Sequence, residues 1–459
     1  MTDLRQMLPA GVTLLFLGCV PSGSSKTPPP TEAAAAKPAP VVSVAGQRSV
    51  LSSDEAAAEN SDAEPEPPLP GLDPVPRNRL AEAGIARYAA AGCEIVTDLP
   101  AAEAGELLAH AVDVRSALQD RFGPLTTASG DAAAIRGYVM CSVDAFREAA
   151  LLPEELPAEF HGRLRGREFW MTAGEPGYYR RHLFAHEACH VWQLLADPTV
   201  PSWSVAALEG EAERFATHRV TDGETQFGIL PQRPSEVPRF GRIERLQAIA
   251  TDSLVKGGNW PTVTAVRSIS PSEFAGTLDV YALVWGMAQC VPPEQWGSLD
   301  GESLAAAELL WSLYRDAVDY GVEPARLLTP SVIEKPDDET ADTYVTLAAD
   351  RGWHAVAVQG DVRLSPSGRC RLLDADRSVT VETTPEGVRY DYAGGFPLGV
   401  VVARLVDPSM RPGRPFALSV GKTVTVPPGS LLLLRVNSHW PSLRGNVGQF
   451  DVRLSDASD

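Results

Sequence analysis

The sequence predicts an α+β domain, built as a mixed sheet followed by a mostly helical lobe, with an all-β sandwich behind it. Three observations lead there. Residues 78 to about 175 alternate short strand-like runs with stretches of helical periodicity, and residues 178 to 335 carry apolar positions at helical spacing. From 345 to 459 the chain changes to β-branched runs broken by Gly and Pro. At 459 residues it exceeds what one compact core organises, so several domains and a linker are expected. The divisions read as 1–19, 20–77, 78–340 and 345–459.

The first segment carries Arg5, an apolar run over 7–17, and Gly18-Cys19. This resembles the lipobox of bacterial lipoproteins, whose cysteine is acylated; Asp3 and Phe16 depart from that pattern. The resemblance implies an exported protein of the bacterial envelope, held to the membrane only through a lipid on Cys19. Residues 20–77 are rich in Pro, Ala, Ser and Glu and poor in large apolar side chains, so they read as a disordered tether. Six of the acids lie between positions 54 and 66. The formal charge of −19 disfavours a nucleic-acid backbone as partner. Beyond Cys19 the cysteines are Cys93, Cys141, Cys189, Cys290 and Cys370, with no CxxC spacing and no readable pairing.

In the α+β domain, 93–98 reads as a strand, 102–122 as a helix with apolar Leu107, Leu108, Ala111, Val114 and Leu118, 135–143 as a second strand leading to a helix around Phe146, and 167–172 as a third strand. Residues 178–196 read as a helix with Phe184, Ala188, Val191 and Leu195 on its apolar stripe. Ser270-Pro271-Ser272-Glu273 signs a helix start before an apolar run to Met287.

The chemistry concentrates in His186-Glu187-Ala188-Cys189-His190. Two histidines four apart on a helix project from one face and converge on one ion, and in an H-E-x-x-H zinc site the glutamate accepts a proton from the attacking water. A catalytic zinc site needs a third protein ligand, and Glu209 in Glu209-Gly210-Glu211-Ala212-Glu213 supplies the candidate after eighteen residues, enough for a turn and a return helix. Glu213, one turn on, is placed to accept the outward N–H of a ligating histidine. His218 ranks below Glu209 as a ligand, and Cys189 reads as a packed thiol.

HEACH, the eighteen-residue gap and E-G-x-A-E resemble the gluzincin metallopeptidases of the peptidase MA-like superfamily. The resemblance covers roughly residues 85–320 and implies a zincin-like fold with 168–172 as its edge strand. It further implies Zn2+ bound by His186, His190 and Glu209, Glu187 as the general base, and a peptide or protein substrate. It also implies an oxyanion-binding residue on a later helix, for which Tyr281 stands best by order. Trp203 departs from the pattern, standing six residues before Glu209 where relatives place a tryptophan about three before.

In the last segment, Gly360 to Gly368, Phe396-Pro397-Leu398-Gly399, Val420-Gly421-Lys422-Thr423 and 433–437 resemble, in order, the β-sandwich of calcium-dependent galactose-binding bacterial lectins. Where that family places carboxylates for calcium, this chain has Asn437-Ser438 and Gly445-Asn446-Val447-Gly448. A hard cation wants charged oxygens, so the sandwich is expected to serve packing, to present substrate or to hold a weak carbohydrate or surface ligand. His354 and His439 read as incidental. The leading expectation is an exported zinc metallopeptidase; the alternative is a surface adhesion or scaffold protein with an inactive metallopeptidase domain.

Overall fold

The computed structural model describes residues 69–75, 77–127, 130–154, 162–174, 177–196, 202–256, 258–274, 276–330 and 343–456. The export signal, Cys19 and the tether up to residue 68 lie outside the described residues. Among those described, no helix is long and apolar enough to cross a membrane. The chain is mixed α/β, with several sheets and a later β-rich region.

After helix α1 (Arg77–Glu82), strands β1 (Ala86–Ala90) and β2 (Cys93–Thr97) form a hairpin through Ala91 and Gly92, both at positive φ. A two-residue turn of that hand matches the twist of its strands. Helix α2 (Ala101–Phe122) crosses back to β3 (Ile135–Met140), parallel to β2. Helix α3 (Val143–Glu148) follows, its first turn capped by the Ser142 hydroxyl, which accepts from the Ala145 N–H at 3.2 Å.

Strands β4 (Gly162–Arg165) and β5 (Glu168–Thr172) complete the sheet in the order β1-β2-β3-β5-β4. The expected edge strand at 168–172 is therefore corrected: β5 pairs with β3 on one side and β4 on the other. The tight turn at Gly166, with φ +64°, folds the four-residue β4 back to become the antiparallel edge.

Helix α4 (Gly177–Leu195) packs on this sheet, with Phe184 edge-on to Phe169 at 5.0 Å. A side chain at Gly137 would strike both rings at 2.8–2.9 Å, so the glycine sets how closely helix and sheet approach. The helix is buried on nearly every side from Leu183 to Gln193, while Leu195, expected on its apolar stripe, is exposed. Helix α5 (Val205–Ala216) returns against it, capped by Ser204, and a short hairpin of β6 (His218–Thr221) and β7 (Glu224–Phe227) follows.

The helical lobe comprises α6 (Arg242–Lys256), α7 (Val263–Arg267), α8 (Pro271–Phe274), α9 (Asp279–Cys290) and α10 (Gly301–Arg315) around Trp285, Trp296 and Trp311. The capping signal at Ser270 is used, since Glu273 accepts from the Ser270 N–H at 2.8 Å. The helix it opens stops at Phe274 rather than running to Met287. Gly276, a poor helix former, instead donates back to the Glu273 carbonyl at 3.1 Å.

Strand β8 (Leu328–Pro330) leaves the helical lobe and pairs in parallel with β10 (Trp353–Val356), which follows β9 (Thr343–Ala348). The β-rich region continues through β11 (Gly360–Leu373), β12 (Thr380–Thr383), β13 (Val388–Ala393), β14 (Phe396–Leu398), β15 (Val401–Val406), β16 (Phe416–Ala417), β17 (Lys422–Val426), β18 (Leu431–Val436) and β19 (Val447–Asp456). One sheet runs β16-β15-β18-β10-β8 and another β12-β11-β19-β9, with β17 on β11. Alternate side chains such as Leu347, Leu364, Ala403, Leu434 and Phe450 share a core drawn from both sheets. The five described cysteines beyond Cys19 are unpaired.

Candidate metal centre

Helix α4 carries His186, Glu187 and His190, and α5 brings Glu209 to them. The His186 and His190 Nε2 atoms lie 3.1 Å apart. The Glu209 Oε2 is 3.2 Å from His186 Nε2 and 3.7 Å from His190 Nε2. All three residues are buried, and their ligand atoms form a group able to hold a metal ion. Tetrahedral ligands about 2.0–2.1 Å from an ion stand roughly 3.3–3.4 Å from one another, close to the separations seen here. Two imidazoles and a carboxylate also form a borderline donor set that suits zinc.

The tautomer of His190 is set by Gln193, one turn further along α4, which the sequence reading missed. The Gln193 Nε2 donates to the Leu208 carbonyl at 2.9 Å, so its Oε1 faces the ring and accepts from His190 Nδ1–H at 2.7 Å. That leaves the Nε2 lone pair directed at the centre. The signal was available in the i+3 spacing from His190.

Glu213 lies behind His186, its Oε1 3.5 Å from His186 Nδ1, but the expected hydrogen bond between them is not made. Its firmest partner was not foreseen. Arg242 on α6 donates to both carboxylate oxygens at 2.9 Å. His182, one turn before His186, lies 3.5 Å from Glu213 and makes a second group that could hold a metal with His186 and Glu213. The guanidinium already neutralises that carboxylate, which favours the first group over the second.

Glu187 is buried beside the histidines, and its Oε2 has no hydrogen-bond partner. Burial, reinforced by the Glu209 charge, pushes its carboxyl above the usual range against the pull of His186 and His190. Burial acts oppositely on His186, yet the hydrogen bond and charge of Glu209 and the charge of Glu213 raise its imidazole to about 9. Glu209, whose burial is outweighed by the two histidines, is held down at about 2. An ion would replace these mutual attractions with ligand bonds.

The edge strand β4 runs against this group. A Cβ on Gly162 would fall 1.7 Å from the Glu187 Oε1, so only glycine lets the carboxylate lie there. Sequence reasoning had no means of pairing Gly162 with Glu187 across the intervening sheet and turn. Compared with family models and with curated proteins, this chain matches none.

The other expected residues lie apart from the centre or behind it. His218 packs against Tyr178 at 4.6 Å and His110 at 4.9 Å, and its Nδ1–H donates to the Ala216 carbonyl at 2.9 Å. Tyr281 is buried on α9, edge-on to Phe274, with the Arg242 guanidinium 5.4 Å over its ring. Arg242, which pairs with Glu213, thus links Tyr281 to the carboxylate behind the centre. Cys189 is fully buried, as expected of a packed thiol. In the β-rich region, Asn437 donates to the carbonyls of Ala393, Phe396 and Pro397, and Asn446 bonds the backbone of Leu373 and Ala349. His439 pairs with Asp391 at 3.2 Å, and His354 is buried in β10.

Proposed function

We propose that this chain is a zinc-dependent metallopeptidase of gluzincin type, with a zincin-like catalytic domain and a β-sandwich behind it. We read it as exported and lipid-anchored at Cys19, on the strength of its first nineteen residues. The observation that carries the activity is the convergence of His186, His190 and Glu209 with the buried, unpartnered Glu187 carboxylate beside them.

Zinc bound there supplies a Lewis acid that lowers the pKa of water and polarises a carbonyl. The protein's own residues do the rest. Glu187 takes the proton of the attacking water and hands it to the leaving nitrogen. Gln193 holds the His190 imidazole with its Nε2 atom inward, and the Glu213 charge lies behind His186. The outer side of β4 pairs with no described strand, and an open strand edge is a template for an extended peptide. Its proximity to Glu187 favours a peptide over other acyl substrates.

The test is elemental analysis of the purified protein beside peptide hydrolysis. About one zinc per chain is expected, lost in His186→Ala. Glu187→Gln is expected to retain the zinc while hydrolysis of a casein peptide pool falls by about 10²–10⁴. A protein that binds zinc but shows no hydrolysis sensitive to Glu187→Gln would return the reading to the adhesion or scaffold class.

A further inference from the structure

A cavity of about 520 Å³ lies where the end of α10 meets the β-rich region, and none of the metal-centre residues lines it. Its walls include Trp353, Phe396, Arg404, Arg435, Ser438 and Trp440. Arg435, on β18, is only 4% exposed, with its guanidinium carbon 3.6 Å from the Trp440 ring centre and 5.5 Å from that of Trp353.

The charge of Arg435 is not met by an acid. Its neighbour Arg404, on β15, pairs with Asp316 at 2.7 Å, and Asp316 also accepts from Arg315. Asp319, the other acid in the wall, accepts from Gln247 and from the Tyr320 N–H. Arg435 has only neutral oxygens, donating to the Ser438 carbonyl at 2.5 Å and Asn437 Oδ1 at 3.3 Å, while its Nε–H is unpartnered. Among the described residues no carboxylate pairs with it.

Two more wall residues repeat the pattern. Trp353 Nε1–H and the Ser438 hydroxyl also lack partners. These unmet groups, two pure donors and a hydroxyl, have almost no accessible surface of their own and lie within the wall, leaving it donor-rich, without a counter-charge and unsuited to a cation. Burial and the nearby Arg404 depress the Arg435 guanidinium to about 9, as expected of a cation held without its counter-charge. The Arg414 side chain, at the exposed mouth, adds a third positive group in a chain whose net charge is −19.

We propose that this junction cavity binds a small organic anion, its carboxylate or phosphate on Arg435 and its body against Trp353 and Trp440. Guanidinium forks match planar oxyanions, and indole faces cover the apolar side of a ring or short chain. The site is independent of calcium and of the metal centre.

Isothermal titration of the full chain with D-glucuronate, inorganic phosphate and D-glucose tests it. Saturable binding of at least one anion at millimolar concentration is expected, with none for glucose. Glucuronate alone would mark a carboxylate-bearing ligand, and phosphate as strong or stronger would mark a phosphorylated one. Arg435→Met should weaken binding at least about tenfold, and Arg414→Ala about two- to fivefold. Arg414 is exposed, so its variant decides the matter should Arg435→Met lose its fold by circular dichroism. Absence of saturable binding up to about 50 mM of either anion, or equal affinity in parent and folded variants, would overturn the proposal.

Discussion

Gln193 and Gly162 touch the candidate centre without entering its ligand set, and each supports a prediction that separates metal binding from chemistry. Gln193→Leu keeps the volume near that of the amide but removes the acceptor for His190 Nδ1–H. Zinc affinity should fall about 10–100-fold with little loss of fold, measured by competition with a chromophoric chelator. Gly162→Ala does the reverse. Its new methyl would occupy the position of the Glu187 Oε1, so the carboxylate or β4 must shift. Zinc content should stay near that of the parent while hydrolysis drops about a hundredfold, the cost of misplacing a reacting group by roughly 1 Å. Unchanged hydrolysis in Gly162→Ala would mean that the strand yields and Glu187 does not.

At the scale of elements, α2, α4 and the β6–β7 hairpin meet in a buried cluster of His110, Tyr178, His182 and His218. Burial, helped by the nearby His182 and Arg181, lowers His218 from 6.5 to about 4, and burial with the neighbouring His218 lowers His110 well below its ordinary value. The folded pKa lies under the unfolded one, so as pH falls the unfolded chain takes the proton first. The contribution of His218 to stability is complete above pH 6.5 and lost progressively between 6.5 and 4, on the order of 3 kcal/mol in all. Urea unfolding at pH 7, 6 and 5 should show stability falling with acid, and His218→Phe should flatten that slope. An equal slope in the variant would place the acid sensitivity elsewhere.

At the scale of the molecule, the helical lobe and the β-rich region are joined by more than a linker. Strand β8 completes the sheet begun by β10, Leu309 and Leu313 of α10 pack with Leu433 and Val402, and Arg404 reaches Asp316. Ending the chain at residue 340 would expose those two leucines, at about 1.5–3 kcal/mol each, and strand β8 without a partner. With a shift of roughly 2–4 °C per kcal/mol, the shortened protein should melt about 6–24 °C lower than the full chain, or aggregate. Melting within a degree or two of the full chain would show that the two bodies are energetically separate.

Much of the centre was legible because its geometry is local. His186 and His190 converge by helical spacing alone, Glu187 lies between them, and an eighteen-residue gap suffices to return Glu209 on the next helix. The mixed α/β character and the later β-rich region followed from the change in hydrophobic period near residue 345. What the tertiary structure alone decided depends on distant pairings that leave no local pattern. Arg242 reaches Glu213 from a third helix, Gly162 clears room for Glu187 from the edge strand β4, and Arg435 is enclosed where α10 meets β10 and β18. A local pattern is written in the backbone period, because neighbours on a helix or strand face one way. Contacts between separate elements depend on how whole surfaces pack, and a single chain does not display that packing residue by residue.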